Sequence, residues 1–349
     1  TLVVAMATVA MGAASFVANV IGLTITPGMQ ATIAFIILAL GTLANLSGRG
    51  VLKILLAGSI IAEIIGSVGL GIWLLLFHVE QPLSSITTGL DTVVGSGFTN
   101  SSFLIAMAFV GWAFVGFESA GSIAEEVKDP QRTLPKVVLF SITFVASVVA
   151  FTALAVILAI PDPAKVISGE AGDPVFSTLV YALGEGPAKV AQILFAIGFL
   201  ASFLALQTSA SRVIWSYARD KALPLEKSLS AIKGKASIPV NAVIVASVVG
   251  AIMIGASQLA PNFYALMVNF TTGGFYISFL FPVAGFVVVL FSNKWKSGPF
   301  TFGAKMKVCA LIWCFCFLGG SALLLESLIF KHLLLFSLDG IYFAPFLTP

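Results

Sequence analysis

Charged residues are scarce in this chain. Only 9% of the residues are Asp, Glu, Lys or Arg, whereas soluble domains carry about 25%. Apolar residues make up 59% of the sequence, and the mean hydropathy is +1.07. This composition excludes an ordinary soluble domain, and a net charge of +3 gives no indication of nucleic-acid binding.

Cysteine and histidine are scarce as well. Cys309, Cys314 and Cys316 lie in one apolar segment without the spacing of a zinc site. His78 and His332 lie near the ends of apolar segments. The chain shows no Ser/His/Asp arrangement, no nucleotide-binding glycine fingerprint and no paired carboxylates. We therefore predict no catalytic residues, no metal site and no enzymatic activity.

The chain is rich instead in apolar runs that can cross about 30 Å of hydrocarbon. Backbone groups in lipid must be satisfied within the spanning structure, and no alternating ten-residue pattern indicates a barrel. The sequence predicts an all-α, polytopic helical membrane protein with ten spans: 1–22, 28–45, 52–77, 102–124, 135–160, 187–217, 238–257, 262–292, 307–330 and 332–347.

The basic residues indicate the orientation of these spans. Fifteen of the 18 Lys and Arg residues fall on every second loop, which the positive-inside rule makes cytoplasmic. Short loops favour a multi-pass protein of the plasma membrane, specifically a bacterial inner membrane. Thr1 lies inside an apolar run, which favours a truncated amino terminus over a signal peptide.

One stretch places a glycine and a carboxylate at the end of an apolar run. Gly116 and Glu118 lie near the end of 102–124, and a densely charged loop follows. A charge inside a bilayer costs about 2.5–3.5 kcal/mol unless it is paired or hydrated. This stretch is therefore a candidate for a solute pathway.

Four segments carry a resemblance to a known family. Residues 112–136, WAFVGFESAGSIAEEVKDPQRTLPK, closely resemble the sixth helix and following loop of the amino acid–polyamine–organocation (APC) permeases. Residues 210–224, ASRVIWSYARDKALP, look like the end of the family's eighth helix. Residues 45–48 (NLSG) resemble the entry to helix five, and 271–274 (TTGG) fall where helix ten begins.

The resemblance implies that the ten spans are helices three to twelve of a twelve-helix protein. It also implies a LeuT-like fold, in which helices one to five and six to ten form inverted repeats. We therefore expect a single transporter domain over 1–349. Within it, 1–77 would hold helices three to five, 102–292 the second repeat, and 307–347 the peripheral carboxyl-terminal helices.

The resemblance further implies a broken sixth helix. Unwinding frees N–H groups for the carboxylate of an amino acid and C=O groups for its ammonium. We expect the break at Gly116, with Phe114, Val115 and Phe117 supplying backbone groups around the substrate. Trp112 is implied as an outer lid over the substrate; an interfacial or packing tryptophan is the alternative.

Two carboxylates lie inside predicted spans. Glu63 falls where several sodium-independent family members carry a helix-five lysine, which the resemblance implies stands in for a bound cation. We expect Glu63 to carry a proton or to ligate a cation with Thr208 or Ser209; a packing role is the alternative. Glu118 is expected to exchange a proton along the cytoplasmic pathway, or simply to be stabilised at the start of the second half-helix.

Charged residues on the cytoplasmic side are expected to form ion pairs that help set a gate, and a merely solvated loop is the alternative. They are Glu125, Glu126, Lys128, Arg132, Arg212 and Arg219.

These patterns predict a secondary transporter that moves an amino acid by alternating access, coupled to protons or working by exchange. The alternative is an organic amine or polyamine permease of the same fold, and a channel lacks a ring of filter residues. We expect a small-molecule substrate, the lipid bilayer as surroundings, no nucleic acid and no cofactor beyond a coupling proton or sodium. The oligomeric state stays open.

Overall fold

The structure is a computed structural model that describes residues 1–23, 25–88, 109–122, 124, 127–170, 173–232, 238–259, 263–292, 295–296, 298–299, 306–316 and 318. Its longer helices are α1 Leu2–Ile21, α2 Pro27–Ser47, α3 Arg49–Glu63, α4 Leu70–Phe77, α5 Pro130–Leu158, α6 Pro174–Leu183, α7 Glu185–Arg219, α8 Val240–Ala256, α9 Phe263–Phe291 and α10 Met306–Cys316. Shorter helices span Ser85–Thr88, Ser119–Ser122, Pro163–Ile167 and Glu226–Leu229.

Membrane-length helices confirm the predicted architecture. In the described parts of the chain, seven helices are long and apolar enough to cross a bilayer. They correspond to the predicted spans 1–22, 28–45, 52–77, 135–160, 187–217, 238–257 and 262–292. The spans 102–124 and 307–330 are described only in part, and 332–347 lies outside the described residues.

Threonine or aspartate followed by proline starts three of the helices. The side chains of Thr26, Asp162 and Asp173 accept hydrogen bonds from N–H groups of the first turn, and proline follows each of them. These side chains satisfy donors that have no partner inside the helix, and proline has no N–H to leave unpaired. The caps fix where α2, the Pro163–Ile167 helix and α6 begin.

The chain divides into two compact units, and the first comprises Thr1–Val94 and Phe114–Met267. Its core forms where α1 and α7 pack together, with α2 and α8 against both helices. Nearly all of α1 between Ala5 and Ala14 is buried, and most of these residues are small. Small side chains let helix backbones approach closely, which drives association in lipid.

Glycine–phenylalanine contacts tighten this unit at several helix crossings. A Cβ added at Gly12 would lie 2.8 Å from Cε1 of Phe199, and one at Gly71 would lie 2.5 Å from Cε1 of Phe151. Gly41 packs still more closely against the buried ring of Phe203. At each of these positions the ring occupies the space that a side chain would fill.

A π-helical turn, Ile64–Gly69, connects α3 to α4. Such turns insert an extra residue into the helix and frequently occur at functional sites. Gly66 lies in this turn, buried against α7, where an added Cβ would lie 3.2 Å from Cβ of Leu194. The turn begins directly after Glu63.

The second unit comprises Gly95–Ala113 and Val268–Pro349. Leu290 of α9 is buried together with Met306 and Ala310 of α10. In the same unit, a Cβ added at Gly111 would lie 2.9 Å from Cγ2 of Thr272.

Candidate functional site

The predicted sixth helix is interrupted at Gly116. Residues 109–112 are helical, 113–118 form consecutive turns, and a helix resumes at Ser119–Ser122. Gly116 has φ 114°, and its carbonyl oxygen accepts a hydrogen bond from the N–H of Ser119 at 3.0 Å. The backbone thus leaves the helical path for one turn and re-enters it.

The backbone conformation at position 116 requires glycine. A Cβ added to Gly116 would meet no atom within 4 Å, so space is available for a side chain. The φ of 114°, however, lies where residues with a Cβ are strained. The break therefore depends on the backbone angle and not on packing.

Glu118 folds back onto the break. Its Oε2 accepts a hydrogen bond from the N–H of Gly116 at 3.0 Å. Its Oε1 is buried and has no hydrogen-bond partner within the described part of the chain. The backbone at the break thus holds Oε2 of this carboxylate, while Oε1 accepts no hydrogen bond from the described residues.

The predicted substrate-binding residues follow one another along this segment. Phe114, Val115 and Phe117 are partly buried within the first unit, and Trp112 is partly buried in the second. Contact of these four residues with a substrate stays a prediction.

Glu63 is the last residue of α3, and its side chain lies against a glycine of α7. A Cβ added at Gly198 would lie 2.9 Å from Cγ of Glu63 and 3.1 Å from its Oε1. The absence of a side chain at Gly198 therefore provides the space that the carboxylate occupies. Sequence reasoning missed Gly198, because a single glycine in an apolar helix carries no signal of its partner.

The predicted cation-site residues lie elsewhere on the same helix. Thr208 and Gly198 are ten positions apart on α7, which is about 15 Å along the helix axis. The hydroxyl Oγ1 of Thr208 donates a hydrogen bond to Oδ1 of Asn45 at 2.6 Å, and the next residue, Ser209, is buried. The structure therefore does not bring Thr208 and Ser209 to the contact that Glu63 makes.

Thr208 belongs to a buried polar cluster that joins α2, α7 and α8. Asn45 donates from Nδ2 to Oε1 of Gln207 at 2.5 Å. Gln207 donates from Nε2 to Oγ1 of Thr42 at 2.8 Å and to Oγ of Ser247 at 2.9 Å. Since Asn45 and Gln207 are almost fully buried, these bonds satisfy groups that would otherwise be costly to bury.

The structure describes four of the six predicted gate residues. Lys128 and Arg132 are exposed in the loop before α5 and in its first turn. The guanidinium of Arg219 lies 4.7 Å from the ring centroid of Trp215, and its Nε is 3.7 Å from Oδ1 of Asp220. Arg212 is partly buried on α7. Glu125 and Glu126 lie outside the described residues, so the gate stays a prediction.

No metal cluster is found in the part of the chain that the structure describes. A group of three or more His, Cys, Asp or Glu side chains that could hold an ion is absent there.

Comparison with known proteins gives a family assignment. The amino acid permease family profile matches residues 1–331. An uncharacterized amino-acid permease of Schizosaccharomyces pombe is 27% identical over 230 residues, which cover 62% of this chain and 40% of that protein. The branched-chain amino acid permease BcaP of Lactococcus lactis is 29% identical over 192 residues, covering 54% of this chain and 38% of that protein.

A third relative is named for a different solute. A choline transporter of Saccharomyces cerevisiae is 24% identical over 212 residues, covering 58% of this chain and 36% of that protein. The matches span about two fifths of the length of these curated relatives.

The family match over most of the chain confirms the resemblance seen at residues 112–136 and 210–224. Together with the seven membrane-length helices, it shows that this multi-pass membrane protein belongs to the amino acid permease family of the APC superfamily.

Proposed function

We propose that this chain belongs to a secondary transporter that carries an amino acid across the plasma membrane by alternating access. The broken helix at Gly116 is the observation that carries the proposal. An amino acid brings an ammonium and a carboxylate into the membrane, and both need partners there. A helix interrupted inside its apolar segment provides unpaired backbone groups without adding charged side chains.

The domain organisation follows from the same proposal. The segment 1–77 supplies the scaffold helices of the first repeat, and 102–292 supplies the second repeat, which contains the break. The two repeats adopt the LeuT-like arrangement, and 307–347 forms peripheral helices. The buried polar cluster of Asn45 and Gln207 supports a rigid scaffold, because it ties three helices together through satisfied hydrogen bonds.

Glu63 is the proposed coupling residue. Its carboxyl group lies inside a predicted span, against Gly198 and directly before the π-helical turn. A carboxylate in that position needs a proton or a cation to remain in the membrane. We propose that it is loaded with a proton during transport; sodium coupling is the competing possibility.

The second candidate function is transport of an organic amine. The carboxylate of Glu118 at the break favours a positively charged nitrogen, and one relative is named a choline transporter. In both candidates the solute leaves the protein chemically unchanged, as expected of a permease and not of an enzyme.

The test is solute uptake by the full-length parent protein in proteoliposomes. The labelled solutes are the twenty amino acids, putrescine and choline, supplied in sodium-free buffer with and without an inward proton gradient. We expect gradient-driven accumulation of at least one amino acid. Accumulation of putrescine or choline alone would establish the amine function, and no uptake under any gradient or counter-substrate would contradict both.

Two variants test the role of Glu63 in the same assay. Glu63→Gln should abolish accumulation driven by the proton gradient. Gly198→Ala should impair it as well, because the added Cβ would lie 2.9 Å from Cγ of Glu63 and would displace its carboxyl group from this position. Gly186→Ala is the matched control on α7, since its added Cβ meets no atom within 4 Å. Undiminished gradient-driven uptake by Glu63→Gln would remove Glu63 from the coupling mechanism.

A further inference from the structure

We propose that Glu118 is the residue that binds the positively charged nitrogen of the transported solute, through its oxygen Oε1. The inference rests on the proposed function, because it names the substrate chemistry that the broken helix recognises. It assigns Glu118 a specificity-determining role in place of a proton-exchanging one.

The geometry makes the two oxygens of Glu118 unequal. The hydrogen bond from Gly116 N–H at 3.0 Å holds Oε2 at the break. Gly116 can present its N–H in this way because its φ of 114° turns the backbone out of the helix. With Oε2 fixed, Oε1 has a defined position next to the unwound segment, and it is buried without a hydrogen-bond partner among the described residues.

The surrounding helices leave that oxygen unsatisfied. The short helix Ser119–Ser122 packs against α5 and α7. Within the described structure none of the titratable side chains of these two helices donates a hydrogen bond to Oε1; they are Arg132, Lys136, Glu185, Lys189, Arg212, Tyr217 and Arg219. A buried carboxylate oxygen without a partner is unfavourable, so it favours a ligand that brings a positive charge.

The bond to Gly116 also determines which end of an amino acid binds here. A substrate carboxylate that used the N–H of Gly116 would have to displace Oε2 and would lie beside a second negative charge. An ammonium group meets no such obstacle, because it donates to Oε1 while Oε2 keeps its bond to the backbone. The broken segment is therefore a cation-recognising half-site, and the substrate's carboxylate, where it has one, binds elsewhere.

Two features support this as a built arrangement. The same residue that interrupts the helix supplies the N–H that orients the carboxylate, so break and anchor are formed together. Charge-assisted hydrogen bonds to a carboxylate are about twice as strong as neutral ones. A single such contact is enough to discriminate between a charged and an uncharged nitrogen.

The experiment uses the full-length parent protein in proteoliposomes, and its probe is the labelled amino acid, putrescine or choline that wild-type vesicles accumulate. Two unlabelled competitors are compared. One keeps the positive nitrogen: the decarboxylated amine of an amino acid, or putrescine or choline itself. The other is the same compound without the positive charge: the N-acetyl derivative of the decarboxylated amine, N,N′-diacetylputrescine for putrescine, or 3,3-dimethylbutanol for choline.

We expect the charged competitor to inhibit uptake by the wild type about 10- to 100-fold more strongly than the uncharged one. Glu118→Gln should raise the KM by a similar factor, and both competitors should inhibit uptake by this variant equally. Glu118→Asp keeps the carboxylate and should keep the discrimination, which guards against a variant that merely folds poorly. Glu170→Gln, the same change at an exposed loop carboxylate, should behave as the wild type.

The possible outcomes distinguish failure of the proposed role of Glu118 from failure of the proposed transport function. Uptake by the wild type with equal inhibition by both competitors would overturn the role of Glu118 and leave the transport function intact. Unchanged discrimination in Glu118→Gln, or its loss in Glu118→Asp, would overturn that role as well. Failure of wild-type vesicles to accumulate any of the solutes would contradict the proposed function itself, and with it this inference.

Discussion

Gly116→Ala should reduce transport at least about tenfold while leaving the protein folded. Alanine is strained at a φ of 114°, and holding it there costs about 1–3 kcal/mol. The segment can relieve this strain by returning toward a regular helix, where alanine is favourable. Regular helix would pair the backbone groups of the break and would move the N–H of Gly116 away from Glu118. Uptake by proteoliposomes, together with the melting temperature of the purified protein, measures both effects.

Gly121→Ala is the matched control for this prediction. Gly121 lies five residues further on, in the Ser119–Ser122 turn. A Cβ at this position also meets no atom within 4 Å, and its φ is not in the left-handed region. We expect Gly121→Ala to transport normally. Equal loss of transport in both variants would show that the segment tolerates no added side chain, and the conformational explanation would fail.

Replacing two buried glutamines of α7 by leucine should affect stability differently, because only one of them has hydrogen-bond partners among the described residues. Gln207→Leu removes the amide that bonds to Asn45, Thr42 and Ser247. Nδ2 of buried Asn45 then keeps only its long bond to the carbonyl oxygen of Gly41, at 3.4 Å, and a buried group that loses its partner costs about 1–3 kcal/mol. Since about 1 kcal/mol shifts the melting temperature of a sizeable domain by roughly 2–4 °C, we expect a loss of several degrees. A thermal melt of the purified protein monitored by size exclusion provides the measurement.

Gln192→Leu is the counterpart at an equally buried site. Both glutamines have no exposed surface. Neither amide atom of Gln192 has a hydrogen-bond partner among the residues that the structure describes. Leucine fills a similar volume and removes a buried polar group, so the melting temperature should stay the same or rise. A drop as large as that of Gln207→Leu would show that Gln192 has a partner, such as a buried water.

The positions of the seven membrane-length helices could be predicted from sequence because they depend on local properties. A run of apolar residues long enough to cross the bilayer needs no knowledge of its neighbours. The helices Leu2–Ile21 and Pro27–Ser47 accordingly lie within a few residues of the predicted bounds. The family could be recognised for a similar reason, since residues 112–136 are a continuous motif. The LeuT-like repeat stays a prediction.

Contacts between distant parts of the chain could not be predicted in this way. The space at Gly198 is defined by a carboxylate 135 positions earlier in the numbering. Asn45 and Gln207 are 162 positions apart, and neither residue type indicates its partner. The π-helical turn Ile64–Gly69 also reads as ordinary helix in the sequence, and so does the close approach of its Gly66 to Leu194 of α7.

The helix α6, Pro174–Leu183, illustrates an intermediate case. Its ten residues are too few to span a bilayer, so the hydropathy pattern did not assign it as a span. The Asp173–Pro174 pair was nevertheless a readable start signal, with the aspartate side chain accepting from the N–H groups of Val175 and Phe176.

The most direct test of the central claim asks whether the solute occupies the broken segment. Val115→Cys would be made in the full-length protein with Cys309, Cys314 and Cys316 replaced by serine, and treated with a membrane-impermeant methanethiosulfonate. Lys165→Cys, at a side chain that is 63% exposed, is the control. If the solute binds at the break, the transported solute at ten times its Kd should slow modification of Val115→Cys about tenfold and leave Lys165→Cys unaffected. Equal modification rates at Val115→Cys with and without the solute would contradict the placement of the substrate at Gly116.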